Sequence, residues 1–479
     1  MRLLLTAALL AATLPASAQQ LPPDTAAKVA AIAQKILADS GVPSASVGIV
    51  QDGHIVYTQA FGLARVSPPA PATPEMAYPI GSVSKQFTAS ALLLLQQQGK
   101  LSIDDPVAKY FPNLTRANEV TLRNLMTMTS GYEDFAPQDY IIPAFRENTD
   151  PLVNATRWAT KPLDFTPGTD WQYSNTNYVL LGLIVEKVSG EPYMKFLHEH
   201  VLAPLGLPGV INAYTDRAHL EVTGYVSHAL APVRVQPLEG NGWYFGDGEL
   251  AMPASTLAAW DIGIIDQKLL SPASYKDMET PYILANGDNA HYGLGIFLRD
   301  RNGHRMIEHS GEVGGYVSEN VVFPDDRIAI VVLTNQVASS AAHDIANGIA
   351  EQILPAIQPA AAPADTLAPQ LKIILTGFQH GTIDRSLFTA DCNDYFDAAT
   401  LADFKSTLAP LGSITGITRN YTHLRGGMTG STYRITFSTG TALTVSTYRI
   451  TFSTGTALTV STYLQPGGKI EQLLVVGKA

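Results

Sequence analysis

The stretch Ile80-Gly81-Ser82-Val83-Ser84-Lys85-Gln86-Phe87, continuing through Thr88 to an apolar Leu92–Leu95, sets a serine and a lysine three residues apart at the start of a helix-like run. Residues i and i+3 share one helix face, so the lysine nitrogen can reach the serine hydroxyl. Nucleophilic acyl transfer needs such a hydroxyl, a base for its proton, and donors for the oxyanion that develops. No other lysine in the chain has a serine three residues before it. A serine at a helix start also serves as a plain N-cap, so the pair takes its meaning from its partners.

Two partners follow. Trp171-Gln172-Tyr173-Ser174-Asn175 comes after the loop Phe165-Thr166-Pro167-Gly168 and before a helix-like Tyr178–Val188. A phenol and an amide two residues apart in a loop can both face a cleft, one as proton carrier and one as anchor. His309-Ser310-Gly311 ends a strand-like run and precedes Gly314-Gly315-Tyr316. A strand edge there can offer a backbone N–H to an oxyanion, and glycine permits close approach.

Around these motifs the elements change character along the chain. Ala26–Leu37 repeats apolar residues at helical spacing, and Ala45–Val50 and Ile55–Phe61 read as strands about Asp52-Gly53. Helical segments dominate from Gly81 to Pro272. Strands return at Gly293–Arg299, Arg305–His309, Val317–Phe323 and Ile328–Thr334, and a helix follows at Ala341–Leu354. Strands at both ends with helices between predict one antiparallel sheet flanked by terminal helices, beside an all-helical lobe.

The motif order S-x-x-K, Y-x-N, H-x-G resembles the penicillin-recognising serine hydrolases, in the branch holding class C β-lactamases, D-alanyl-D-alanine carboxypeptidases, D-aminopeptidases and β-lactamase-like esterases. The flanks Leu101-Ser102-Ile103-Asp104-Asp105-Pro106 and Tyr173 through Gly182 are similar as well, and the likeness spans about Asp24 to Leu354. It implies a two-lobed α/β fold of the serine β-lactamase type. It implies Ser82 as the acylated nucleophile, Lys85 as its proton partner and Tyr173 as general base. Asn175, His309, Ser310 and Gly311 would bind substrate, and the backbone N–H groups of Ser82 and Glu312 would form the oxyanion hole. Three positions depart from the pattern, one of them Glu312, which stands where small residues are usual. Lactamases of this branch usually carry lysine where His309 stands, whereas peptidases and esterases often carry histidine. Met128 replaces a common histidine before Thr129-Ser130-Gly131.

Composition excludes several classes. The 479 residues are 46% hydrophobic and 15% charged, so the chain folds, and a net charge of −11 without a basic cluster argues against nucleic acid. One cysteine, Cys392, excludes an intramolecular disulfide framework and cysteine-based metal sites. His198-Glu199-His200 reads as a solvated helix face, since no H-E-x-x-H occurs, and no G-x-S-x-G marks an α/β-hydrolase. Asp247 and Glu249 read as shaping a loop beside the cleft. No metal and no cofactor are expected, and the substrate is a small-molecule or peptide-like acyl donor.

Residues 1–18, with Arg2, an apolar Leu3–Leu14 and Pro15-Ala16-Ser17-Ala18, read as a signal peptide, giving a periplasmic or secreted product without stable membrane insertion. The hydrolase unit then covers 19–354, a Pro/Ala-rich linker 355–364, and a small α+β unit 365–479. Asp384–Phe404 with Leu424-Arg425-Gly426-Gly427-Met428 resembles domains of the nuclear-transport-factor-2 type, and the unit's partner is unknown. Within it Ser431–Val445 is repeated identically as Ser446–Val460. Tyr433, Ile435 and Phe437 share one face, and opposite parity in the second copy predicts a turn or bulge at Ser446-Thr447.

The resemblance implies an exported serine hydrolase acting through a Ser82 acyl-enzyme on an ester or peptide-like (D-amino acid) acyl donor, of esterase or carboxypeptidase type, with a β-lactamase as the alternative. A penicillin-binding sensor without turnover is the reading from another class.

Overall fold

The computed structural model describes residues 20–136, 141, 143–226, 232–236, 239–354, 367–388, 393, 396, 398–425, 428–438, 442–444, 458–464 and 470–478. The expected signal peptide, the expected linker, Cys392 and the expected turn at Ser446-Thr447 lie outside them.

The sheet is built from both ends of the hydrolase unit. Its strands are β1 (Ser44–Gln51), β2 (His54–Arg65), β3 (Ala70–Pro71), β4 (Phe297–Arg301), β5 (His304–Val313), β6 (Tyr316–Phe323) and β7 (Ile328–Thr334), in the order β3-β2-β1-β7-β6-β5-β4. Every pair is antiparallel, and β1 joins β7 from Ala45 opposite Thr334 to Gln51 opposite Ile328. The run Ile-Ala-Ile-Val-Val-Leu-Thr of β7 is apolar without a break because both faces are covered. Ile328, Ile330 and Val332 join one core, and Ala329, Val331 and Leu333 join the other.

The first of these cores holds the terminal helices α1 (Pro23–Ser40) and α5 (Ala341–Ile353), through Val29, Ala33 and Leu37 of one and Ile345 and Ile349 of the other. α1 starts on Pro23, whose missing N–H is no loss in a first turn, and stops at Gly41 in the left-handed region. The second core holds the helical lobe, with α2 (Lys85–Gln97), α3 (Asn175–Ser189) and α4 (Ala254–Ile265). Gly48 on β1 lets α4 approach, because a Cβ there would stand 2.9 Å from the Ala254 carbonyl. Phe87 of α2 stacks on Trp260 of α4 with ring centres 4.1 Å apart.

Several boundaries differ from the sequence reading: the strands expected to end at Phe61 and His309 run on to Arg65 and Val313, the helix expected at Ala26–Leu37 spans Pro23–Ser40, and two further shifts lie against the serine turn. The strand expected from Gly293 begins at Phe297, because Gly295, at φ +80°, passes close against the Lys85 carbonyl and the Tyr178 hydroxyl. The helix expected from Tyr178 begins at Asn175, for a reason that belongs to the site below.

The C-terminal unit has its own core. One face of α6 (Leu367–His380), carrying Leu367, Leu371, Ile374, Leu375 and Phe378, packs with Phe404 and Leu408 of α7 (Ala398–Leu408) and with Tyr433, Ile435 and Phe437. The common face expected for those last three is therefore observed. Its antiparallel sheet runs β8 (Ile414–Arg425), β9 (Met428–Phe437), β11 (Leu458–Leu464), β12 (Ile470–Lys478), with β10 (Ala442–Thr444) also paired to β9. No helix among the described residues is long and apolar enough to cross a membrane.

Candidate active site

Gly81-Ser82-Val83-Ser84 forms one 3-10 turn that runs directly into α2 at Lys85. The turn brings Lys85 Nζ to 3.0 Å from Ser82 Oγ, as the i, i+3 spacing predicts. The ammonium's other donors go to Asn175 Oδ1 at 2.8 Å and to the Asp247 carbonyl at 3.0 Å. The side chain is wholly buried, and burial pulls its pKa down to about 8 even though Asp247 and Asp134 favour the charged form. With such a pKa about a tenth of the amine is neutral at pH 7, and that fraction can accept a proton.

Tyr173 and Asn175 close the site from the start of α3. Lys85 Nζ lies over the Tyr173 ring, 5.0 Å from its centre. Burial drives the Tyr173 pKa well above 10, Tyr292 adds to the rise, and the neighbouring Ser82 hydroxyl opposes it. The neutral Tyr173 phenol therefore stands beside the serine hydroxyl. Asn175 is held from outside its helix. Asp134 Oδ1 accepts from the Asn175 backbone N–H at 2.9 Å and Oδ2 from its Nδ2 at 3.3 Å. That carboxylate caps the first amide of α3 in place of Ser174, whose side chain makes no cap bond, and so moves the helix start to Asn175. Met128, left-handed at φ +62°, occupies the variant position in the Thr-Ser-Gly loop and accepts from the Ser174 N–H through its sulfur at 3.4 Å.

The third wall is β5. Gly311 pairs with Ser318, and a Cβ on Gly311 would overlap the Ile80 carbonyl. Gly81, at φ +52°, faces it, and a Cβ there would come within 2.8 Å of the Glu312 backbone N. Two glycines thus let the strand touch the serine turn, which sets the Glu312 backbone nitrogen against Gly81. Ser318 Oγ pins the contact by donating to the Ile80 carbonyl at 2.8 Å. The Glu312 side chain turns elsewhere and accepts from the Ala338 N–H at 2.8 Å, while Ser310 is exposed on the strand.

His309 is buried among rings. Its Nδ1 donates to the Ser310 carbonyl at 2.6 Å, since a carbonyl only accepts, and its Nε2 therefore accepts from the Tyr292 hydroxyl at 3.0 Å. The rings of Phe297 and Tyr173 lie 5.3 and 6.1 Å away. Burial, with the nearby Lys85 charge adding to it, lowers the His309 pKa to about 3. The imidazole is neutral at every ordinary pH, and both its nitrogens are engaged.

Three acids escaped the sequence reading as parts of the site. Asp134 looks like a loop residue in Tyr132-Glu133-Asp134, and its contact with Asn175 spans 41 positions. Glu239 is buried and accepts from the Gly314 N–H at 2.9 Å, which anchors the turn after Glu312. Asp247, expected in a loop beside the cleft, lies in the short helical turn Phe245–Gly248, and its carboxylate stands 4.0 Å from Lys85 Nζ. At Glu191, Glu199 and His200, Lys195 pairs with both carboxylates, which fits a surface ion-pair cluster.

Residues 29–353 match the protein family described as Beta-lactamase, and the chain belongs to that family of serine hydrolases. It is 30% identical over 306 residues to penicillin-binding protein 4* of Bacillus subtilis, covering 60% of this chain and 66% of that protein, so it spans just under two thirds of that relative's length. A structure of the octameric penicillin-binding protein homologue from Pyrococcus abyssi superposes with a TM-score of 0.61 at 23% identity, over 94% of this chain and 98% of that one. A D-stereospecific amidohydrolase from Streptomyces gives 0.58 at 25%, over 68% and 99%.

Proposed function

We propose that the protein is an exported serine hydrolase that forms an acyl-enzyme on Ser82 from an ester or a D-amino-acid peptide-like acyl donor and releases it to water. The observation that carries this reading is Lys85 Nζ, 3.0 Å from Ser82 Oγ in a site where burial brings its pKa to about 8. In acylation the neutral fraction of Lys85 takes the Ser82 proton as Oγ attacks the acyl carbon. The N–H groups of Ser82 and Glu312 receive the oxyanion. Family resemblance assigns the base to Tyr173, but its phenol is held un-ionised by burial. Its part is to hand a proton to the leaving group and recover one from Lys85. Water then attacks the ester of Ser82, and the same groups return the proton to Oγ.

Neutral His309 favours uncharged acyl donors over lactams, because it brings no cation to a substrate carboxylate. The amidohydrolase likeness supports an acyl donor of the D-amino-acid kind. Export rests on residues 1–18, and a mature N-terminus at Gln19 is expected from the secreted protein's intact mass.

The test is labelling by a fluorophosphonate together with a substrate panel. Ser82→Ala should lose all labelling while staying folded, and full residual activity would remove Ser82 from the mechanism. In the wild type kcat/KM for a p-nitrophenyl ester should rise with pH through about 8, as Lys85 loses its proton. Cephalosporin turnover near the diffusional ceiling of about 10⁸ M⁻¹s⁻¹, with esters and D-Ala-D-Ala peptides far slower, would make the protein a β-lactamase instead.

A further inference from the structure

Lys85 has three donors, and all are spent on Ser82, Asn175 and the Asp247 carbonyl. The Asp247 carbonyl is main chain, so any residue at this position would offer it. The Asp247 carboxylate is therefore not what holds the lysine in place. It is fully buried, neither of its oxygens has a hydrogen-bond partner, and it faces Lys85 Nζ at 4.0 Å. A buried carboxylate left this way is costly, and such groups mark a site where the charge itself matters.

The other groups around the pair do not explain it. From the loop after Gly131 comes Asp134, whose oxygens are already taken by the N–H groups of Ala136 and Asn175 and by Asn175 Nδ2. From the start of α3 come the rings of Tyr173 and Tyr178, 5.0 and 5.6 Å from Nζ. Tyr193, Tyr214, Tyr244 and Glu249 feel Asp247 or act on it, and His309 on β5 feels Lys85. Among these groups Lys85 is the one that carries positive charge.

We propose that Asp247 is a positioning residue that acts through Lys85, setting how tightly the amine holds its proton and balancing the ammonium formed when Ser82 is deprotonated. The effect on the lysine's proton affinity stands on the geometry, and its use in acylation rests on the serine-hydrolase reading above. The proton balance is closed: the Ser82 O–H breaks, the Lys85 N–H forms, and the new cation faces a carboxylate. Burial pushes the Asp247 pKa well up and the Lys85 pKa down, and the charge of each group opposes the shift of the other. Asp247 is the larger of the two charges that raise the proton affinity of Lys85 against burial, and Lys85 is the largest influence lowering that of Asp247.

An opposite charge within about 4–6 Å moves a pKa by roughly 1–3 units. In Asp247→Asn and Asp247→Ala, Lys85 should therefore lose its proton about 1–3 pH units lower than in the wild type. Two measurements on the full chain read this separately. The first is the rate of Ser82 labelling by a fluorophosphonate from pH 5 to 10, whose acid limb should move down while the plateau falls, a less basic amine being the weaker proton acceptor. The second is the titration of Lys85 itself, followed by NMR of ¹³C-labelled lysine and assigned with Lys85→Ala. A Lys85 titration within half a unit of wild type in both folded variants overturns the proposal. A titration that moves in a protein that does not label at Ser82 keeps the electrostatic coupling and overturns its use in acylation.

Discussion

The two large antiparallel sheets of this chain differ in how firmly their register is specified; short antiparallel pairings at Tyr78–Pro79, Ile211–Asn212, Leu250–Met252, Tyr225–Val226 and Arg234–Val235 also interrupt the lobe expected to be all helical. In the hydrolase sheet, β7 is apolar on both faces and its neighbours are fixed by contacts that occur once, such as Gly311 against the Ile80 carbonyl. A slip of one residue would turn every side chain of β5 over and carry the Glu312 N–H away from the Ser82 turn. In the C-terminal sheet one edge of β9 is shared by two segments separated by the second copy of the repeat. Thr444 of the first copy pairs with Arg434, and Ser461, immediately after the second copy, pairs with Thr432. Chemistry that needs atoms placed to a fraction of an ångström sits on the sheet whose register has no alternative.

The largest effect is expected where that singular contact is broken. Gly311→Ala puts a Cβ onto the Ile80 carbonyl and within 2.5 Å of Ser318 Oγ, and both are packed against fixed structure. Overpacking of this kind costs about 1–3 kcal/mol, and displacing an oxyanion donor costs about 10²–10³ in kcat. Thermal unfolding and ester hydrolysis on one preparation check both. A variant with wild-type kcat would mean that β5 does not supply the donor.

Much of this was legible in the sequence, and the misses share a cause. Ser82, Lys85, Tyr173, Asn175 and the His309-Ser310-Gly311 strand sit on short local elements whose spacing can be read directly, and the structure brings them to one cleft. Ile328–Thr334 was readable to the residue, because a short apolar run rich in β-branched residues and bounded by turn residues has few other uses. Asp134, Glu239 and Asp247 were not. Each acts on a residue 41, 75 or 162 positions away, and alone each looks like an ordinary loop acid. The same distance hid the start of α3, whose cap is borrowed from Asp134. Histidine at 309 was visible, but its neutrality was not, since that follows from the rings of Tyr292, Phe297 and Tyr173 around it.

A smaller, pH-dependent effect sharpens the comparison from the hydrolase side. His309 has a pKa of about 3 in the fold against about 6.5 unfolded, so the unfolded chain binds the extra proton between those values. Its contribution to stability is fully present above about pH 6.5 and is lost as pH falls toward 3, at up to about 1.4 kcal/mol per pH unit. Asp134, Glu239 and Asp247 have raised pKa values and act in the opposite sense. The informative quantity is therefore the difference between wild type and His309→Gln, measured by urea unfolding at several pH values. Wild type should lose its advantage steadily below pH 6.5. A difference that stays flat from pH 7 to 4 would mean that the imidazole is charged in the fold.

The smallest effect is expected from deleting one copy of the repeat, residues 446–460. The observed pairings already anticipate the product. With those residues gone, Val445 is followed directly by Ser461, so Thr444 stays opposite Arg434 and Ser461 stays opposite Thr432 on β9. A single strand from Ala442 to Leu464 would then run alongside β9 with no change of register, and Tyr433, Ile435 and Phe437 would keep their buried face. The chain between the paired segments shortens, which changes loop-closure entropy by only about 0.6 kcal/mol per halving of length. Ester hydrolysis should stay within about twofold of the full chain, the usual scatter for a substitution far from a site. The intact mass of the natural product, compared with this sequence, shows whether both copies are present. Loss of hydrolysis on this deletion, with the hydrolase unit still folded by circular dichroism and still labelled at Ser82, would tie the C-terminal unit to turnover, and the contrast between a sheet that carries chemistry and one that tolerates insertion would fail.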